Sequence, residues 1–160
     1  MKLSTLYTSS NLPYVRLSDT KSSGTVGTTY TSGAYRTITL NTEEQDDDGV
    51  CSLSSNQFKL SAGKYAVRIS ASENDSATAI CVVRLRNNSD GATILKWPKF
   101  YYYVTNAARN TMIPTFEGRF SIGSNKNLAL QIDVSATLSF TATSDGENEV
   151  YWVVELVKLD

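Results

Sequence analysis

Alternation of apolar and polar side chains runs through most of the chain, and it predicts strands. Residues 64 to 72 place Tyr65, Val67, Ile69 and Ala71 on one side. Residues 115 to 122 set Phe116, Gly118, Phe120 and Ile122 against Thr115, Glu117, Arg119 and Ser121. Residues 127 to 134 set Leu128, Leu130, Ile132 and Val134 against Ala129, Gln131 and Asp133. Successive strand side chains point to opposite faces, so each segment has one face for a core. Further short strands are predicted at 14–17, 34–41, 50–54, 57–60, 77–86, 92–97, 99–104 and 138–142. The Ser61-Ala62-Gly63 turn between two of these runs predicts a hairpin of 57–60 with 64–72. Ser, Thr and Gly crowd 18–33, which reads as a loop or a loosely held edge. No segment carries a helical apolar period over ~11 residues. Many short strands separated by turn signals predict an all-β sandwich, and a two-sheet antiparallel jelly roll closes such a set naturally.

The last strand, 149 to 159, breaks the usual pattern. One face carries Val150, Trp152, Val154 and Leu156; the other carries Tyr151, Val153, Val157 and Leu159, interrupted by Glu155. A half-exposed antiparallel strand has one polar face. Here both faces call for cover, from the chain's own core on one side and from another layer or another chain on the other.

Composition narrows the chemistry. The chain has 160 residues, enough for one domain with a sizeable core. Its 41% hydrophobic and 19% charged residues are those of a soluble globular protein, and the net charge of -1 implies no nucleic-acid partner. No apolar run approaches the ~20 residues that span a bilayer, and none at the N-terminus suits a signal peptide. The sequence has no histidine, which removes Ser-His-Asp and Cys-His catalysis and histidine metal sites. No enzyme activity and no cofactor are expected. Cys51 and Cys81 read as small apolar core residues rather than a disulfide framework. The acidic stretch Glu43-Glu44-Gln45-Asp46-Asp47-Asp48-Gly49 is a solvated turn or a calcium site, although it lacks the Asp-x-Asp-x-Asp-Gly loop. Phe100-Tyr101-Tyr102-Tyr103 has three readings: alternate rings in the core, a subunit or capsid contact, or a glycan platform.

Several blocks together resemble a known module. They are Tyr14-Val15-Arg16-Leu17-Ser18-Asp19, Thr31-Ser32-Gly33-Ala34-Tyr35-Arg36-Thr37, Leu60-Ser61-Ala62-Gly63-Lys64-Tyr65, Glu117-Gly118-Arg119-Phe120-Ser121-Ile122 and Val150-Tyr151-Trp152-Val153-Val154-Glu155-Leu156. In order and spacing they resemble the C1q/TNF-like jelly-roll module of bacteriophage virion proteins, over residues 13 to 159. Residues 1 to 12 would form an N-terminal arm and 13 to 160 the domain. The stretch from about Asn74 to Asn110 departs from the pattern, so ligand specificity does not carry over.

The resemblance implies a homotrimer. It places the last strand mid-sheet against a threefold axis, in one sheet with the Tyr65 and Phe116 strands. Tyr65, Arg68, Phe116, Arg119, Phe120, Tyr151, Val153 and Glu155 are then candidates for the oligomer interface, with core or interface left open for the apolar ones. Arg68, Glu117, Arg119 and Glu155 pair between chains or stand as solvated charges. It also implies a virion protein made in the host cytoplasm, with either of two roles. One is a capsid decoration or cement protein that binds the major capsid protein or another virion protein on the assembled shell. The other is the receptor-binding tip of a tail fibre, with a host-surface glycan or protein as partner. The short arm, with Leu3, Leu6 and Tyr7, suits docking on a shell better than carrying a fibre tip, so a capsid position is expected. Trp97, Tyr101 and Tyr103 complete the candidate partner contacts. No membrane partner is implied.

Overall fold

The computed structural model describes residues 12–72, 78–102 and 115–160. Within them the chain forms two antiparallel sheets packed face to face, the jelly-roll sandwich that the alternation predicts. The strands are β1 (Tyr14–Lys21), β2 (Arg36–Thr37), β3 (Thr42–Asp46), β4 (Cys51–Ser54), β5 (Gln57–Leu60), β6 (Gly63–Ala71), β7 (Ala79–Asn87), β8 (Ala92–Lys96), β9 (Phe100–Tyr102), β10 (Thr115–Ile122), β11 (Lys126–Val134) and β12 (Glu149–Lys158). A five-stranded sheet has the order β10-β6-β12-β1-β3. A seven-stranded sheet runs β4-β5-β11-β7-β8, with β2 on β11 and β9 on β7. β12 is therefore central, flanked by β6 and β1, in one sheet with β10.

The core follows the alternation. Leu17, Tyr65, Val67, Ile69, Phe116, Phe120, Trp152, Val154 and Leu156 from the first sheet meet Phe58, Val83, Leu85, Leu128, Leu130 and Ile132 from the second. Aromatic edges fill the middle: Phe140 lies edge-on to Tyr30, Tyr102 and Trp152, with centroids 6.1, 6.2 and 6.1 Å away. That is the separation at which edge-to-face pairs attract. Gly118 has a packing reason. A Cβ there would stand 2.8 Å from Leu95 Cδ1, so glycine lets β8 lie close over β10.

Three local readings are corrected. The 57–60 and 64–72 segments do not form a hairpin. β5 pairs with β4 and β11, whereas β6 pairs with β10 and β12, so Ser61-Ala62 carries the chain from one sheet to the other. A glycine turn marks a reversal of direction without saying which sheet receives the next strand. The real hairpin is β4–β5, turned by Ser55 and Asn56 at φ 51° and 61°. Two left-handed residues in succession suit a tight hairpin, but without glycine they leave little trace in sequence. The segment 34–41 is strand only at Arg36–Thr37, yet Ile38 and Leu40 are fully buried. Likewise 138–142 contributes a single bridge, Leu138 to Tyr30, and buries Leu138 and Phe140.

β12 itself holds the fourth correction. Asp19 faces Trp152 and Thr20 faces Val150, so Tyr151 is an extra residue in a β-bulge. A bulge shifts the side-chain alternation by one. Tyr151 and Trp152 are both buried in the core, and Val150 is left 41% exposed on the outside. The strict alternation expected for the strand fails at its first turn of register.

Candidate interaction surfaces

The outward face of the five-stranded sheet is ordered in rows fixed by register. The middle row reads Gln45, Arg16, Glu155, Arg68, Glu117. Glu155 is its hub. It accepts a hydrogen bond from Tyr14 Oη–H at 2.7 Å, and its two oxygens lie 3.3 Å from Arg16 and 3.8 Å from Arg68. Arg16 also pairs with Glu44, from the bulge in β3. Burial, with the Glu155 carboxylate beside it, pushes the Tyr14 hydroxyl up to about 12. Ion pairs at this depth are worth little singly, but a shared carboxylate fixes how the arginines point.

The row on one side is Tyr14, Val157, Ala66, Arg119. Tyr14, Val157 and Ala66 are buried here by Leu12 and Leu159, which lie over them. The second face of the last strand is thus covered in part by the chain's own ends. The row on the other side is Thr42, Ser18, Val153, Ser70, Thr115, in which Val153 is half-buried among hydroxyls.

These placements divide the expected interface residues. Arg68, Arg119, Val153 and Glu155 lie on the outward face of the five-stranded sheet. Tyr65, Phe116, Phe120 and Tyr151 do not. They are buried between the sheets, so as interface residues they are corrected to core. Tyr65 stacks on Phe120 at 5.5 Å, and its hydroxyl donates to the Ser61 carbonyl. The Tyr151 hydroxyl donates to the Thr25 carbonyl at 2.7 Å. Trp97 is also corrected from partner contact to core: its Nε1–H donates to the Glu117 carbonyl at 2.9 Å. Phe100 and Tyr102 turn inward and Tyr101 outward, as the first reading of that segment has it. Tyr101 is 64% exposed and remains available to a partner. Leu3, Leu6, Tyr7 and Tyr103 fall outside the described residues.

Sequence reasoning passed over Glu149. Its carboxylate accepts backbone N–H groups from Gly24, Thr143 and Ser144 at 3.2, 2.8 and 3.3 Å. Those bonds hold its pKa below the usual range and tie two loops to the start of β12. No local signal marks it, because the loops it joins are far apart in sequence.

The expected acidic turn is strand β3 as far as Asp46, and its carboxylates are engaged within the fold. Asp46 accepts from the Val50 and Cys51 N–H groups, Glu43 from Leu53, and Glu44 holds Arg16. Among the described residues no group of His, Cys, Asp or Glu is arranged to hold a metal ion. Both cysteines are free thiols. Burial pushes each up to about 12, with Glu43 and Asp46 adding to the rise at Cys51, so neither is a nucleophile near neutral pH.

No protein-family model and no curated protein sequence matches the chain. Solved structures do match in fold. The globular domain of zebrafish complement 1qA superposes with TM-score 0.57 at 11% identity, covering 94% of this chain and 98% of that one. Murine APRIL at pH 5.0 gives 0.53 at 11%, covering 93% and 100%. Eiger TNF from S. frugiperda gives 0.54 at 10%, covering 93% of each. The fold is C1q/TNF-like, at sequence identities that carry the fold alone.

Proposed function

We propose that the chain is a homotrimeric virion structural protein, a capsid decoration protein that binds the assembled shell. The observation that carries the trimer is the outward face of the five-stranded sheet. It has a central half-buried Val153, a row of alternating charge already oriented by Glu155, and Arg119 without an ion-pair partner among the described residues. Oriented arginines and a small apolar centre suit packing against identical copies. C1q/TNF-like modules are generally trimers, which agrees with this use of the face. The virion role is supported by the sequence blocks that resemble phage modules.

Such a trimer stabilises the shell by mass action, because it binds the assembled lattice and not the free subunit. Its copies reinforce one another through avidity. The first test is mass in solution, expected at three times the 17.5 kDa of the chain. A monomer at micromolar concentration removes the trimer. The second is immunogold labelling of particles, expected over the capsid. Label confined to the tail would replace decoration with the receptor-binding tip, a reading favoured by the exposed Tyr101. Deleting residues 1 to 11, which spares Leu12 and its contact with Val157, weakens capsid attachment and leaves the oligomer intact.

A further inference from the structure

The outward face of the seven-stranded sheet collects cations that make no ion pair among the described residues. Arg84 and Arg86 alternate with the buried Val83 and Leu85, so both point out. Lys96 stands directly across from Arg84, and Lys59 lies outward between buried Phe58 and Leu60. Among the described residues none of these makes an ion pair, whereas Arg16, Lys21, Lys64 and Arg68 on the other sheet all do. Asp133, one row from Arg84, is the carboxylate that the strand pairing brings to this face.

The cations sit in a defined setting. The Arg84 guanidinium lies 3.6 Å over the Tyr35 ring, and its Nε–H donates to Gln131 Oε1 at 2.9 Å. Stacking and that bond hold the fork in place with donors left over. At one end of the face is a groove of about 340 Å³, lined by Ser52, Ser54, Ser55, Gln57, Lys59 and Asn127. At the other end Tyr101 stands across from Ile80, its ring open to solvent. From Lys59 to Lys96 the strand order spans roughly 15 Å of sheet at the usual interstrand spacing.

A protein partner would call for an apolar centre ringed by polar groups. Here the centre is cationic, one end is hydroxyl and amide, and a lone aromatic ring closes the other. That order suits a polymer with repeated anions and many hydroxyls. We propose that this face binds an acidic polysaccharide. Arg84, Arg86, Lys96 and Lys59 take its anionic groups, the groove its hydroxyls, and Tyr101 a sugar ring. The inference does not need the capsid reading; it needs the face to stay open when the other sheet packs between copies.

Binding of the full chain to immobilised alginate tests it, with neutral dextran, polyglutamate and duplex DNA as comparisons. Alginate is expected to bind at about 0.1 M salt and to be released as screening shortens the reach of each charge. Dextran is expected not to bind, and polyglutamate and DNA to bind about tenfold more weakly or worse, lacking partners for the groove and ring. The double variant R86E/K96E is expected to lose alginate affinity by about tenfold or more, with melting and oligomer mass unchanged. Tyr101→Ala is expected to lose about threefold. No retention on alginate overturns the proposal, as does undiminished binding by R86E/K96E. Equal or tighter binding of polyglutamate or DNA overturns it in favour of an acidic protein surface or a nucleic acid. A chain that stays monomeric yet binds alginate would remove the trimer and keep this site.

Discussion

On the five-stranded sheet, Arg16 and Arg68 stand on either side of Glu155, and the apolar row beside them is roofed by Leu12 and Leu159. On the seven-stranded sheet, Arg84, Arg86, Lys96 and Lys59 make no ion pair among the described residues. Both faces are polar and both lie over the same core. The first pairs Arg16 and Arg68 through Glu155, which suits a row that loses water against copies of itself, since an unpaired charge is costly to desolvate. The second leaves these four cations without an ion pair among the described residues, which suits a partner that brings the opposite charge. The carboxylate shared by Arg16 and Arg68 has no counterpart beside Arg84 and Arg86 among the described residues.

The largest expected effect tests the boundary between core and face. Tyr151→Asp puts a carboxylate between the sheets and is expected to cost more than about 4 kcal/mol, unfolding the domain in urea titrations. Val153→Asp, two residues on, sits on the outward face and is expected to leave the monomer folded while light scattering shows loss of the oligomer. If both variants unfold alike, the outward face is not a separate surface. Glu155→Ala takes the hub from Tyr14, Arg16 and Arg68 and is expected to cost about 1–2 kcal/mol, read by urea denaturation. It also weakens a pH effect that burial and Glu155 share. The folded Tyr14 hydroxyl holds its proton to about 12, so its contribution to stability is complete below the ordinary tyrosine value of about 10 and is lost as pH rises through about 12.

Asp19 is a smaller test. It is fully buried beside Trp152, with Lys21 Nζ 3.2 Å away, and its oxygens accept no hydrogen bond. Burial raises its pKa, and Lys21 pulls the other way without cancelling the rise. The folded chain then holds this proton more tightly than the unfolded one, so stability is greatest below the unfolded value and falls as pH rises through the raised one. Asp19→Asn is expected to stabilise the fold at neutral pH by on the order of 1 kcal/mol, read by calorimetry, and to flatten that stretch of the pH profile. The smallest effect belongs to the seven-stranded sheet. Arg86→Ser is expected to change stability by no more than about 0.5 kcal/mol and to leave the oligomer mass untouched, because that arginine pairs with no acid among the described residues.

Much of this was open to a reader of the sequence. Where alternation is strict, as in β10 and β11, strand ends and inward faces came out nearly residue for residue, because period two has one solution against a core. The same rule puts Arg119 on the outward face, where the structure also places Arg68, Val153 and Glu155. Tyr65, Phe116, Phe120, Tyr151 and Trp97 were candidates for contact because large aromatic side chains look alike in sequence whether they face a core or a partner. Tyr151 was further concealed by its bulge, which only the pairing of β12 with β1 creates.

Sequence by itself determined the sandwich, the core-facing halves of its longest strands and the absence of histidine chemistry. These depend on side-chain order along one strand, which is local. Only the tertiary structure decided that Ser61-Ala62 crosses between sheets, that Glu149 ties two distant loops, that Leu12 and Leu159 pack on the cluster of Tyr14, Ala66 and Val157, and that Glu155 gathers Arg16 and Arg68. Each of these is a relation between residues brought together by strand order, and neighbours of that kind exist only once the sheets have formed.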